Sequence, residues 1–92
     1  MRRIRQQQQF LNDFKRQKRR GKDVADLFAI VDLLVQDGEL PAAYRPHKLS
    51  GEWKGLWECH IEADWLLIYN VTPNEVLLVR TGTHLDLFAR YQ

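Results

Sequence analysis

The seven residues from Trp65 to Val71 are apolar at every position except Asn70. Strand side chains alternate between two faces, so a strand of this composition needs cover on both sides. A chain of 92 residues has room for one domain with one small core. The run therefore predicts a central strand around which the rest must be arranged.

Its neighbours fit that role. Leu56 to Ile61 alternates, with Trp57, Cys59 and Ile61 on one face and Glu58, His60 and Glu62 on the other. Glu62-Ala63-Asp64 is a tight connection, and Thr72-Pro73-Asn74-Glu75 is a turn with proline favourably placed. Val76 to Thr81 reads as a further strand, broken by Gly82-Thr83. Together they predict an antiparallel meander. His84 to Phe88 is a short closing segment. As one helical turn it puts His84 and Phe88 on the same face.

The preceding chain is helical in pattern. Phe10, Leu11 and Phe14 form a narrow apolar stripe within residues 7–20, which are otherwise rich in Gln, Lys and Arg, and Gly21 is placed to end the helix. Asp23 is a helix-capping residue for a second, more strongly amphipathic stretch, with Val24, Leu27, Phe28, Val31, Leu34 and Val35 on one stripe and Asp37-Gly38 at its end. Residues 2–6 suit either an edge strand or the frayed start of the first helix. Residues 39–46 form a loop bracketed by Pro41 and Pro46, which fixes the approach to His47. The expected fold is α+β: a two-helix hairpin packed on a small, mainly antiparallel curved sheet, in the order (β)ααβββ, as one domain over 1–92. The basic helical part covers about 1–38 and the sheet about 47–92.

Composition narrows the function. No apolar run approaches the roughly 20 residues needed to cross a bilayer, and the basic start lacks the apolar region of a secretory signal. One cysteine cannot form an internal disulfide, which fits a reducing cytoplasm. Charge is uneven. Residues 1–22 hold nine basic groups against Asp13 alone, a net +8, while residues 23–92 hold five basic and eleven acidic groups, a net −6. A basic helical third of this kind meets a polyanion or an acidic partner, or is simply a solvated helix face.

The chemistry-bearing residues cluster between His47 and His84. No Cys-x-x-Cys and no histidine pair at zinc-site spacing occurs, so the spacing argues for no metal; there is no phosphate-binding glycine loop and no strand–turn–helix nucleophile elbow. What remains is acid–base work on an anion. Histidine gives and takes protons near neutral pH, and breaking an RNA phosphodiester through its 2′-hydroxyl needs a base, an acid and cations on the phosphate. His47, His60, His84 and Asp64, with Lys48, Lys54 and Arg80, can supply these without a cofactor, and Trp53, Trp65 and Phe88 can stack on bases. Taken singly, each residue has a plainer role: a surface histidine, a turn-forming aspartate, a core tryptophan.

The ordered string weighs against those plainer roles. His47-x-Leu49-x-Gly51-x-Trp53-Lys54-Gly55, Glu58-x-His60-Ile61-x-x-Asp64-Trp65-Leu-Leu-Ile-Tyr69 and Arg80-Thr-Gly-Thr-His84-x-x-Leu87-Phe88 resemble the YafQ-type toxins of the RelE/ParE superfamily. The resemblance implies a RelE-like fold and a bacterial type II toxin that cleaves mRNA in the ribosomal A site. It also implies 2′-hydroxyl attack giving a 2′,3′-cyclic phosphate, without metal or other cofactor. It places the catalytic positions on His47, His60, Asp64 and His84, with Trp65 and Phe88 supporting or stacking. His84 is expected as the general acid, His60 and Asp64 as the groups that orient and activate the nucleophile, and His47 as the phosphate binder. The implied partners are mRNA, ribosomal RNA facing the basic third, and a cognate antitoxin with a ribbon-helix-helix DNA-binding domain; no membrane is involved. Two rivals stay open: a gyrase-binding toxin of the ParE branch, and a non-catalytic RNA-binding relative.

Overall fold

The computed structural model describes residues 1–88. Eight elements follow in order: β1 (Arg3–Gln6), α1 (Gln8–Arg19), α2 (Val24–Asp37), β2 (His47–Lys48), β3 (Trp57–Glu62), β4 (Trp65–Val71), β5 (Glu75–Gly82) and α3 (His84–Phe88), with short 3₁₀ turns at Ala42–Tyr44 and Gly51–Trp53. The strands form one sheet in the order β1-β5-β4-β3-β2. Every pairing is antiparallel except β1 with β5, where Arg3 to Gln6 run parallel to Glu75 to Leu78. Residues 2–6 are thus an edge strand, and His47-Lys48 forms the other edge.

Two apolar clusters flank the sheet. On one face Trp65, Leu67 and Tyr69 of β4 join Cys59, Val76 and Leu78 under Phe10, Leu27, Ile30, Val31, Leu34 and Val35 of the helices. On the other, Leu66 and Ile68 pack with Val79 and Leu87 beneath Leu49, Trp53, Leu56, Leu77 and Phe88. β4 is therefore central and covered on both sides. Burial of this kind removes apolar surface from water at about 25 cal/mol per Å².

The helices depart from expectation in two places. Phe28 is 56% exposed, whereas Ile30 is fully buried, so the core stripe of α2 is rotated from the one read in the sequence. α1 buries Asp13 and Gln17 beside Phe10. α1 closes with the expected glycine: Gly21 has φ +86°, Lys22 N–H donates to the Gln17 carbonyl and Gly21 N–H to that of Lys18. Asp23 caps α2 by accepting from Ala25 N–H at 3.0 Å. No helix is long and apolar enough to cross a membrane among the described residues.

Candidate active site

Three imidazoles stand in a row on the face of the sheet away from α1 and α2. His47 comes from the edge strand β2, His60 from β3 and His84 from the start of α3. Ring centroids lie 6.5 Å apart for His47–His60 and 5.9 Å for His60–His84. The alternation of β3 sends Cys59 into the helix-side core and leaves Glu58 and His60 on the opposite face. Cross-strand pairing then sets His47 against Glu58.

Each ring is tethered through Nδ1. His47 Nδ1 donates to the Arg45 carbonyl at 3.0 Å and His60 Nδ1 to the Ala63 carbonyl at 3.4 Å. His84 Nδ1 donates to Asp64 Oδ1 at 2.6 Å. A carbonyl or carboxylate oxygen only accepts, so Nδ1 carries the proton in all three rings and Nε2 is the working atom. A carboxylate stands at each end of the row: Asp64 beside His84, and Glu58, whose Oε1 lies 3.3 Å from His47 Nε2. His60, between them, has no acidic partner among the described residues.

Asp64 also accepts the backbone N–H of His84 at 2.8 Å. These two bonds from His84 hold the Asp64 carboxyl below the usual carboxylate range, with the positive charges of His84 and Lys22 adding to the effect. The aspartate is exposed, so its role is geometric: it fixes the tautomer and direction of one imidazole.

The structure thus brings together His47, His60, Asp64 and His84, and sets Phe88 one helical turn beyond His84 with its ring edge-on to Trp53 at 6.1 Å. Other expected residues stand elsewhere. Trp65 is fully buried in the helix-side core, its indole N–H donating to Thr81 Oγ1 at 2.9 Å, so it supports the strand beside Asp64 and cannot stack on a base. Lys48 lies on the opposite face from the row, with Nζ 5.7 Å from the centre of the Trp57 ring. Strand alternation sends it there, since its neighbour His47 takes the site face. Arg80 is held by Asp13 through bonds of 2.6 and 3.2 Å, which neutralise the charge expected to meet a phosphate. Lys54 is exposed at the end of the 3₁₀ turn. Glu58 is a further site residue, set against His47 by strand register; its spacing of two from His60 on one strand is the sequence signal for it. Among the described residues no group of three or more His, Cys, Asp or Glu side chains is set to hold a metal ion.

A family model for the bacterial toxin YafQ of type II toxin–antitoxin systems matches residues 2–89. The chain belongs to the YafQ family. The mRNA interferase toxin YafQ of Escherichia coli K12 is 42% identical over 81 residues, 87% of this chain and 88% of the relative. The putative toxin YafQ of Haemophilus influenzae is 36% identical over 64 residues, covering 66% of this chain and 63% of the relative. Among YafQ structures, a histidine-to-glutamine variant from E. coli matches with a TM-score of 0.89 at 39% identity, covering 96% of this chain and 99% of the other. E. coli YafQ in complex with DinJ matches at 0.87 with 40% identity and the same coverage. A metal-bound toxin from Helicobacter pylori matches at 0.86 with 34% identity, covering 96% of this chain and all of the other. The structural matches each cover 96% of this chain, so the RelE-like α+β expectation holds for the helices as well as for the sheet.

Proposed function

We propose that this chain is the toxin of a bacterial type II toxin–antitoxin system and acts as an endoribonuclease on mRNA. The observation that carries the reading is the row of three Nδ1-tethered imidazoles with a carboxylate at each end, in a chain of the YafQ family. In the reaction, His60 Nε2 takes the proton of the 2′-hydroxyl. The 2′-oxygen forms a bond to the adjacent phosphorus while the bond from phosphorus to the 5′-oxygen breaks. His84 Nε2 gives its proton to that leaving oxygen, and the products are a 2′,3′-cyclic phosphate and a free 5′-hydroxyl. One proton is taken and one returned, so the chemistry calls on no cofactor.

The roles follow from the partners. His60 is the member of the row without a carboxylate, which suits a neutral base. His84 is held by Asp64 through Nδ1, which fixes the ring and leaves its Nε2 to face the leaving oxygen. Asp64 therefore serves the acid rather than the nucleophile, a change from the role expected by resemblance. His47 faces an acceptor with each nitrogen and stands at the end of the row as the phosphate binder. Phe88 stacks on a base, and Lys54 stands ready for the backbone.

The substrate is presented in the ribosomal A site. The basic residues of α1, among them the exposed Lys15, Lys18 and Arg19, contribute salt-sensitive affinity for ribosomal RNA. A cognate antitoxin with a ribbon-helix-helix domain holds the toxin in the bacterial cytoplasm, as DinJ is found in complex with E. coli YafQ. Primer extension on mRNA in programmed ribosomes tests the reading. Wild-type protein should cut, and His84→Ala and His60→Ala should each cut about 10²–10⁴-fold more slowly with their circular dichroism unchanged. Undiminished cleavage by His84→Ala would remove the assigned acid, no cleavage by wild type would return the non-catalytic RNA-binding reading, and toxicity that survives both substitutions would return the gyrase-binding one.

A further inference from the structure

α3 carries both His84 and Phe88 but is only five residues long. A helix of one turn closes too few hydrogen bonds to hold itself, so its position is set from outside. Asp86 is the point of attachment. Its Oδ2 accepts from Arg20 at 2.6 Å, from Thr83 N–H at 2.9 Å and from Gln17 Nε2 at 3.2 Å, and its Oδ1 accepts a second Arg20 nitrogen at 3.1 Å. Thr83 Oγ1 accepts Asp86 N–H at 3.0 Å, so the two residues cap the start of α3 reciprocally.

The neighbours make this attachment specific. Gln17 is fully buried, and its amide donates to Asp86. A Cβ on Gly82 would sit 2.9 Å from both Cβ and Oδ2 of Asp86, so the side chain passes where only glycine leaves room. The next residue, Leu87, is buried in the cluster on the site face. α3 thus crosses the end of β5, with Asp86 fastened to α1, Leu87 set in the opposite core and His84 against Asp64.

We propose that Asp86 is a positioning residue for RNA cleavage, binding Gln17 of α1 and Arg20 at its C-terminal end so that the start of α3 presents His84 to Asp64. The inference rests on the nuclease reading above. It assigns to the basic helix a second task beyond contact with RNA: Arg20 holds the proton donor in place through a residue that substrate need not touch.

The test compares the full chain with Asp86→Ala, Asp86→Asn, Arg20→Ala and the Arg20→Ala/Asp86→Ala double variant. The readouts are cleavage on programmed ribosomes and exchange of the His84 backbone amide with solvent. Asp86→Ala should lower kcat by up to about 10²-fold, the loss a small misplacement of a catalytic group brings, with KM unchanged. Asp86→Asn should recover most of kcat, because its amide oxygen still accepts from Thr83 and Arg20. Adding Arg20→Ala to Asp86→Ala should lower kcat no further, and the His84 amide should exchange faster in Asp86→Ala. Wild-type kcat and unchanged His84 exchange in Asp86→Ala would overturn the proposal, as would a loss that Asp86→Asn fails to restore. If wild type itself does not cleave, the nuclease reading falls instead, and the His84 exchange comparison decides the attachment alone.

Discussion

One oxygen of Asp64 receives two hydrogen bonds from His84, from the backbone N–H at 2.8 Å and from Nδ1 at 2.6 Å. The carboxylate sets both where the residue sits and which way its ring points. Asp64→Asn keeps an oxygen that can accept both bonds but removes the carboxylate charge beside the ring. We expect kcat to fall about 10²-fold, within the range of acid–base contributions, with KM nearly unchanged. A variant with wild-type kcat would separate Asp64 from the acid.

Trp65 offers a prediction about stability. Its indole N–H donates to Thr81 Oγ1, and that hydroxyl donates to the Leu66 carbonyl at 2.7 Å, all fully buried. Trp65→Phe leaves the threonine oxygen without its donor, at a cost of about 1–3 kcal/mol. Thermal unfolding should show that loss, with residual cleavage retained by the folded fraction. A loss of cleavage with no change in melting would mean that Trp65 meets substrate after all.

Asp86 ties stability to acid. Arg20 holds its carboxyl far below the usual range, with Thr83 N–H and Gln17 assisting. A depressed carboxylate contributes stability that is present above its unfolded pKa, about 3.9, and is lost as pH falls toward the folded value. Melting temperatures measured from pH 5 down to pH 2 should therefore drop less steeply for Asp86→Asn than for wild type. Parallel curves would show that the pairing contributes nothing to the folded state.

Cys59 should be inert. Burial, helped by the neighbouring Glu58 charge, pushes its thiol up to about 12, and the residue is fully enclosed in the helix-side core. Iodoacetamide at pH 8 should leave the native protein unmodified and label it fully once unfolded. Fast labelling of folded protein would mean that β3 opens, and with it the strand that carries His60.

The parts of this molecule that were legible in its sequence were those fixed by local pattern. The two-sided β4 run, the Asp23 cap and Gly21 each act within a few residues, and each appears where pattern puts it; the α2 helix does too, but its core stripe is turned so that Ile30 replaces Phe28. The family string brought the histidines and Asp64 onto the page, but only three dimensions show that Asp64 turns to His84 rather than to His60. What stayed hidden depends on partners far along the chain. Arg80 looked like a free cation because Asp13 stands 67 residues earlier, and nothing singled out Asp86 because Gln17 and Arg20 are about as remote. The burial of Asp13 and Gln17 runs against the usual exposure of such residues, which composition cannot anticipate. Glu58 was placed on the correct face by alternation, but its link to His47 required the register of a two-residue strand.

The three imidazoles belong to three elements separated by long stretches of chain: an edge strand of two residues, an inner strand and a single helical turn. No single element holds more than one ring, so the row exists only in the assembled sheet, with α3 fitted over Gly82 and fastened to Arg20. It is a property of the tertiary fold and of no local segment.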